Sequence, residues 1–122
     1  MVNQNPDLHI KMNTLIKEMI LNETFVISLL SIQEVGFVLS KLGQSPPFVS
    51  DKLKALMAAR PVAHGSQEIT RAMELATQIG FKDFNDCIHT AIAERYCTDL
   101  YTCNYKDFKR IKHYTSLNIH FL

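Results

Sequence analysis

The chain has 122 residues, 47% of them hydrophobic, and a formal net charge of +1. That is enough for one domain with a single core, too apolar for a disordered chain, and too nearly neutral for a whole-surface polyanion field. The longest apolar run, Phe25 to Leu30, is interrupted by Ser28 and falls far short of a membrane span. The opening MVNQNPD has no basic stretch leading into an apolar one. Cys87, Cys97 and Cys103 are odd in number and lack CxxC spacing. Together these features lead us to expect a soluble, cytoplasmic protein with reduced thiols.

In chain order, Leu8, Met12, Leu15, Ile16 and Met19 recur at helical spacing and predict a helix from about Asp7 to Leu21. Phe25 to Leu30 is apolar, β-branched and short, which predicts a buried strand. Ser31, three residues before Glu34, forms a capping-box pattern that opens a helix to Leu42, and Gly43 supplies its left-handed stop. Ser45, Pro46 and Pro47 read as a turn. A helix from Asp51 to Arg60 follows, with Leu53, Leu56 and Met57 inward and Pro61 ending it. After an extended piece at Val62 and Ala63, Gln67 to Ile79 is helical, with Ile69, Ala72, Met73 and Ala76 on one side and Gly80 as terminator. The next helix runs from Asp83 to about Tyr96. Leu100 to Cys103 and Leu117 to Leu122 read as strands. Helices alternating with short apolar strands imply an α/β fold whose parallel sheet is flanked by helices, with ligands off the carboxyl ends of the strands.

The candidate chemistry is acidic. Glu34 and Asp86 each follow an expected N-cap (Ser31, Asp83) by three residues, while Asn104 and Asp107 come just after the strand at Leu100 to Cys103. If helix and strand are neighbours, these carboxylates converge, and converging carboxylates suit a hard divalent cation. A first-turn acid also favours the helix dipole by about 0.3–1 kcal/mol, so a metal role and a capping role coexist. Asp107 reads equally well as a turn acid among Lys106, Lys109 and Arg110, and Asn104 as the residue closing the strand. The run KDFKRIKH (Lys106 to His113) offers Lys109, Arg110 and Lys112 to phosphates, or simply forms a solvated face. Cys87 and His89 diverge on a helix, which argues against zinc, and four glycines form no phosphate loop.

Three segments carry a resemblance. ISLLSIQEVGFVLSKLG (Ile27 to Gly43) resembles the strand and acid-bearing helix of the PIN-domain family, in particular the VapC-like toxins of toxin–antitoxin pairs. FNDCIHTAIAERYC is similar to that family's D-A-x-x-x-A-x-A segment, and LYTCNYKDF to its T-x-[DN]-x-x-[DN]-F ending. The likeness runs loosely from Asn5 to Leu122 and implies one PIN-like domain over residues 1–122. It assigns Glu34, Asp86 and Asp107 as Mg²⁺ or Mn²⁺ ligands, with Asn104 as an alternative fourth-site group, in a metal-dependent ribonuclease. It further implies an RNA substrate, a small antitoxin partner and a homo-oligomer, with no membrane role. The family's opening strand and its Asp-Thr-Asn motif have no match here. The expectation is therefore an N-terminally truncated fold, lacking the first catalytic Asp, that is weakly active or inactive, or else a non-catalytic interaction module with a nuclease-like fold.

Overall fold

The computed structural model describes residues 26–122, together with Ile10 and Thr14, both helical, with the Thr14 Oγ1 donating to the Ile10 carbonyl at 3.0 Å. The expected helix from Asp7 to Leu21 otherwise lies outside the described residues. The chain divides after Ala63 into two compact units.

In the first unit the expected strand over Phe25 to Leu30 is not formed by its described residues. Val26 and Ile27 are extended, Ser28 makes one parallel bridge to Val62, and Leu29 already begins helix α1 (Leu29–Lys41). Two backbone bonds of 2.9 Å hold that bridge, from Val62 N–H to the Ile27 carbonyl and from Leu29 N–H to the Val62 carbonyl. The cap explains the shift. Two serines three apart both suit an N-cap, and Ser28 takes the role: its Oγ accepts from Ser31 N–H at 3.0 Å. Glu34 therefore lies in the second turn of α1, not the first, and the first turn holds no acid. The helix ends as its glycine demands. Gly43, at φ 81°, and Gln44 donate to the carbonyls of Ser40 and Leu39, closing a Schellman motif.

Helix α2 (Pro46–Met57) starts five residues before the expected Asp51. Pro46 and Pro47 occupy its first two positions, where a missing N–H costs nothing, and Ser45 caps it by accepting from Phe48 N–H at 3.3 Å. The prolines thus begin this helix instead of forming a separate turn. Leu53 and Leu56 are half-buried, whereas Met57 is exposed, contrary to the inward placement expected of it. Gly36 faces α2, where a Cβ would meet the flexible end of Leu53 at 3.1 Å.

The second unit opens with α3 (Ser66–Ile79), capped by Gly65, whose N–H donates to the Glu68 carboxylate at 3.0 Å. Its buried stripe is Ala72, Leu75, Ala76 and Ile79, and Met73 is exposed rather than inward. Gly80, at φ 104°, stops the helix. A 3₁₀ turn (Phe81–Asp83) leads into α4 (Phe84–Tyr96), whose Cys87, Ile88, Ala91 and Ile92 complete the core as α3 and α4 pack together. The alanines on both helices let the backbones come close.

Strand β1 (Asp99–Thr102) pairs in parallel with β2 (Asn118–Phe121), Asp99 opposite Asn118 and Thr102 opposite Phe121. The crossover is α5 (Tyr105–Ile111) and a second 3₁₀ turn (Lys112–Tyr114), which gives the α/β arrangement with a parallel sheet, two-stranded among the described residues. No helix was expected at α5, so Asn104 and Asp107 stand at a helix start and not in an open turn. Fully buried Ile111 and nearly buried Phe108 fix α5 to the core. Arg71 clasps Glu94 with two hydrogen bonds (2.8 and 3.1 Å) and also donates to the Tyr114 carbonyl, tying α3 and α4 to the second 3₁₀ turn. Burial pushes the Glu94 carboxyl up, but the bonds from Arg71 and Thr115 outweigh it and hold the group below its usual value.

Candidate metal centre

Two helix starts in the second unit come together. Asp83 closes the first 3₁₀ turn and occupies the N-cap of α4, Asp86 is the third residue of that helix, and Asp107 is the third residue of α5. One carboxylate oxygen from each lies within 4.8 Å of the other two, and all three residues are half-buried. Only β1 and a short turn separate α4 from α5 in sequence, so the chain returns to the level at which α4 began. The acids line an open depression of about 610 Å³ with Phe81, Lys82, Phe84, Asn85 and Lys106.

Neighbouring groups orient two of the acids. The Asn104 side-chain amide donates to Asp107 Oδ2 at 2.7 Å, and Asp107 N–H donates back to Asn104 Oδ1 at 3.3 Å. Asp83 Oδ2 stands 3.9 Å from Arg110 Nη1, while Arg110 Nη2 donates to the Ile79 carbonyl at the end of α3. The field of the acids reaches the helix behind them. Burial first, and then the charges of Asp86 and Asp83, push the Cys87 thiol up to about 11, so it stays protonated at neutral pH.

Of the residues picked out in the sequence, Asp86 and Asp107 fall in this group, and Asn104 adjoins it through Asp107. Glu34 is not a member; it is half-buried on α1, in the unit that ends at Ala63. Arg110 flanks Asp83 at the edge of the site, its own side chain exposed. Lys109 and Lys112 are exposed, their ammonium groups 5.8 Å from the centre of the Tyr105 ring and 5.6 Å from that of Phe121. The reading of the sequence treated Asp83 only as a cap and passed over Lys82. A signal for both is present: FKDF (Phe81 to Phe84) is echoed by YKDF (Phe108 closing it), so the acids Asp83 and Asp107 hold equivalent places in two short, similar segments.

Three carboxylate oxygens this close suit a hard divalent cation, which takes oxygen ligands and offsets their mutual repulsion. The residues present therefore fit a Mg²⁺-like ion, and the depression leaves room for water and a ligand beside it. The family profile described as PIN domain matches residues 4–114. No curated protein and no solved structure matches the chain.

Proposed function

The chain belongs to the PIN-domain family, and from that premise we propose that it is a metal-dependent ribonuclease of the VapC-like kind that hydrolyses RNA phosphodiesters. The observation that carries this reading is the meeting of Asp83, Asp86 and Asp107 within 4.8 Å at two helix starts. These three residues are the proposed ligands of Mg²⁺ or Mn²⁺. A bound cation there supplies Lewis acidity, lowering the pKa of a coordinated water from about 15.7 towards neutrality and offsetting charge on the phosphoryl group. Asn104 holds the Asp107 carboxylate in place through its 2.7 Å bond, and Arg110 keeps Asp83 facing the group. Lys109, exposed on α5, and Lys112, exposed on the second 3₁₀ turn, are the proposed phosphate contacts. A cytoplasmic setting, a small antitoxin partner and self-association go with the VapC-like reading. Among the described residues no helix is long and apolar enough to cross a membrane.

The test is cleavage of a labelled RNA by the purified chain in Mn²⁺. Cleavage that EDTA stops, and that falls to background in Asp83→Asn and Asp86→Asn, supports the reading. Cleavage indifferent to EDTA or to both substitutions overturns it.

A specific observation favours a second reading, a non-catalytic interaction module. Asp107 is satisfied by Asn104 and Asp83 is paired with Arg110, roles that need no cation. Calorimetric titration with Mn²⁺ separates the two: no heat of binding by a folded chain supports the module, and a single saturating site supports the nuclease.

A further inference from the structure

We propose that the His120–Asp99 pair is a pH-operated latch on strand β2, closed when His120 carries a proton and loosened when it does not. The parallel register sets His120 directly opposite Tyr101, and the period of two puts Asp99, Tyr101, Asn118 and His120 on one face of the sheet. On that face the imidazole has two partners. Its Nε2 stands 2.8 Å from Asp99 Oδ1, and its ring stacks on that of Tyr101 with centroids 4.5 Å apart and planes inclined by 15°. Both contacts favour the cation. Protonation turns the bond to Asp99 into an ion pair, and the face of a phenol ring attracts positive charge. A neutral imidazole can still donate through Nε2–H, so the contact persists at high pH and its strength falls.

Asp99 keeps its charge through the change. Thr98 Oγ1 donates to its Oδ2 at 2.6 Å, and that bond first, then the one from His120, hold the carboxyl below its ordinary value. The imidazole is the member of the pair that changes charge between about pH 5 and 8. Other titratable groups stand around it differently. Tyr101 meets it through the ring face, and Cys97 lies beside Asp99, whose charge adds to burial in pushing that thiol up. Tyr105 and Lys112 reach β2 at the Phe121 ring, which points to the other face, and the Leu122 carboxylate lies two residues on. Main-chain bonds of 3.0 Å tie the ends of β2 to β1, from Asn118 N–H to the Thr98 carbonyl and from Leu122 N–H to the Thr102 carbonyl. Helix α5, with Asp107, is the crossover between the two strands, so the latch closes the segment that carries that acid. Because the pair gains when His120 is charged, its contribution is present at low pH and lost as pH rises through the imidazole range.

The test is amide hydrogen exchange of the full chain, followed by NMR at about pH 5.5 and about pH 7.5 to bracket the imidazole range. Each rate is corrected for the intrinsic effect of pH on exchange. The amides of Asn118 and Leu122 report on β2, and that of Ala76, inside α3, reports on the fold as a whole. On raising the pH, the wild type is expected to lose protection at Asn118 and Leu122 by about 2- to 5-fold relative to Ala76, the scale of an exposed charge pair. His120→Gln keeps a donor for Asp99 without the charge, and Asp99→Asn removes the opposite charge; circular dichroism checks the fold of both. Neither variant is expected to show the loss. Equal wild-type protection at the two pH values overturns the latch, as does a response of the wild-type size that persists in either folded variant.

Discussion

Removing the charge of Asp107 while keeping its shape tests whether the three acids form a cation site. In Asp107→Asn an amide oxygen remains to accept from Asn104, so the main loss is the charge. Two carboxylates at 4.8 Å repel by about 0.9 kcal/mol in a water-like dielectric and by about 3.5 kcal/mol at an effective constant of 20. Partial exposure of all three acids, and Arg110 beside Asp83, place the pairs near the lower figure. Against that relief stands the favourable contact of an acid with the α5 dipole, about 0.3–1 kcal/mol. In EDTA the two terms nearly cancel, so the variant's stability is expected to lie within about 1 kcal/mol of the wild type. With cation the chains part. Mn²⁺ at a hundred times its dissociation constant stabilises the wild type by about 2.7 kcal/mol, a rise of roughly 10 °C in melting temperature for a chain of this size. The variant, with one ligand gone, is expected to lose most of that rise. Thermal melts followed by circular dichroism in EDTA and across a Mn²⁺ series read both numbers. An equal rise in both proteins refutes the assignment of Asp107 as a ligand. A loss above about 2 kcal/mol in EDTA refutes the charge bookkeeping and makes the carboxylate chiefly a structural cap.

The remaining predictions concern the framework. Glu68 is held at about 2, first by the hydrogen bond from Arg95 and then by Gly65 N–H. Because the folded value lies below the ordinary 4.5, this stabilisation is complete above that pH and disappears as pH falls towards 2; urea melts at pH 6 and pH 3 should show a smaller acid loss in Glu68→Gln than in the wild type. Leu75, 1% exposed between α3 and its neighbours, should cost about 2–5 kcal/mol on truncation to Ala, and fully buried Ile111 about 0.5–1.5 kcal/mol on change to Val, both by denaturant titration. Gly80, at φ 104° and ψ 153°, lies in a region nearly reserved for glycine, so Gly80→Ala should destabilise by about 1–3 kcal/mol. Gly36→Ala has the opposite sign: the helix gains up to about 1 kcal/mol, and the Leu53 methyl 3.1 Å from the new Cβ ends a flexible, half-buried side chain that can turn aside.

What the sequence disclosed depended on how local each cause was. The stops at Gly43 and Gly80 were legible because one residue's freedom to adopt positive φ decides them. Parallel β1 and β2 were legible because short apolar segments separated by a polar, helix-length stretch leave few alternatives. The start of α1 was misread because Ser28 and Ser31 both satisfy the cap pattern, and the bridge from Ser28 to Val62 lies beyond a local window. Helix α5 was missed because its seven residues are too few to show a period within a run of charges. Asp86 and Asp107 could be named as separate candidates. Their convergence with Asp83 depends on where β1 delivers the chain, and that is a tertiary fact.

Acids at helix starts have an ordinary explanation in the dipole, and it must be weighed residue by residue. It accounts well for Asp107, which sits third in α5 and exchanges two hydrogen bonds with its cap, Asn104. It accounts partly for Asp86, third in α4. It does not account for Asp83. That residue holds the N-cap position, yet its side chain makes no capping hydrogen bond and is only 11% exposed. A carboxylate so placed has given up much of its hydration. The Arg110 guanidinium at 3.9 Å is an ion-pair contact too long for a hydrogen bond. Capping thus leaves Asp83, a carboxylate largely withdrawn from water, with a weak reason to be there. The proposed divalent cation, shared with Asp86 and Asp107, supplies a stronger reason, and FKDF and YKDF bring its acids to one place from the starts of α4 and α5.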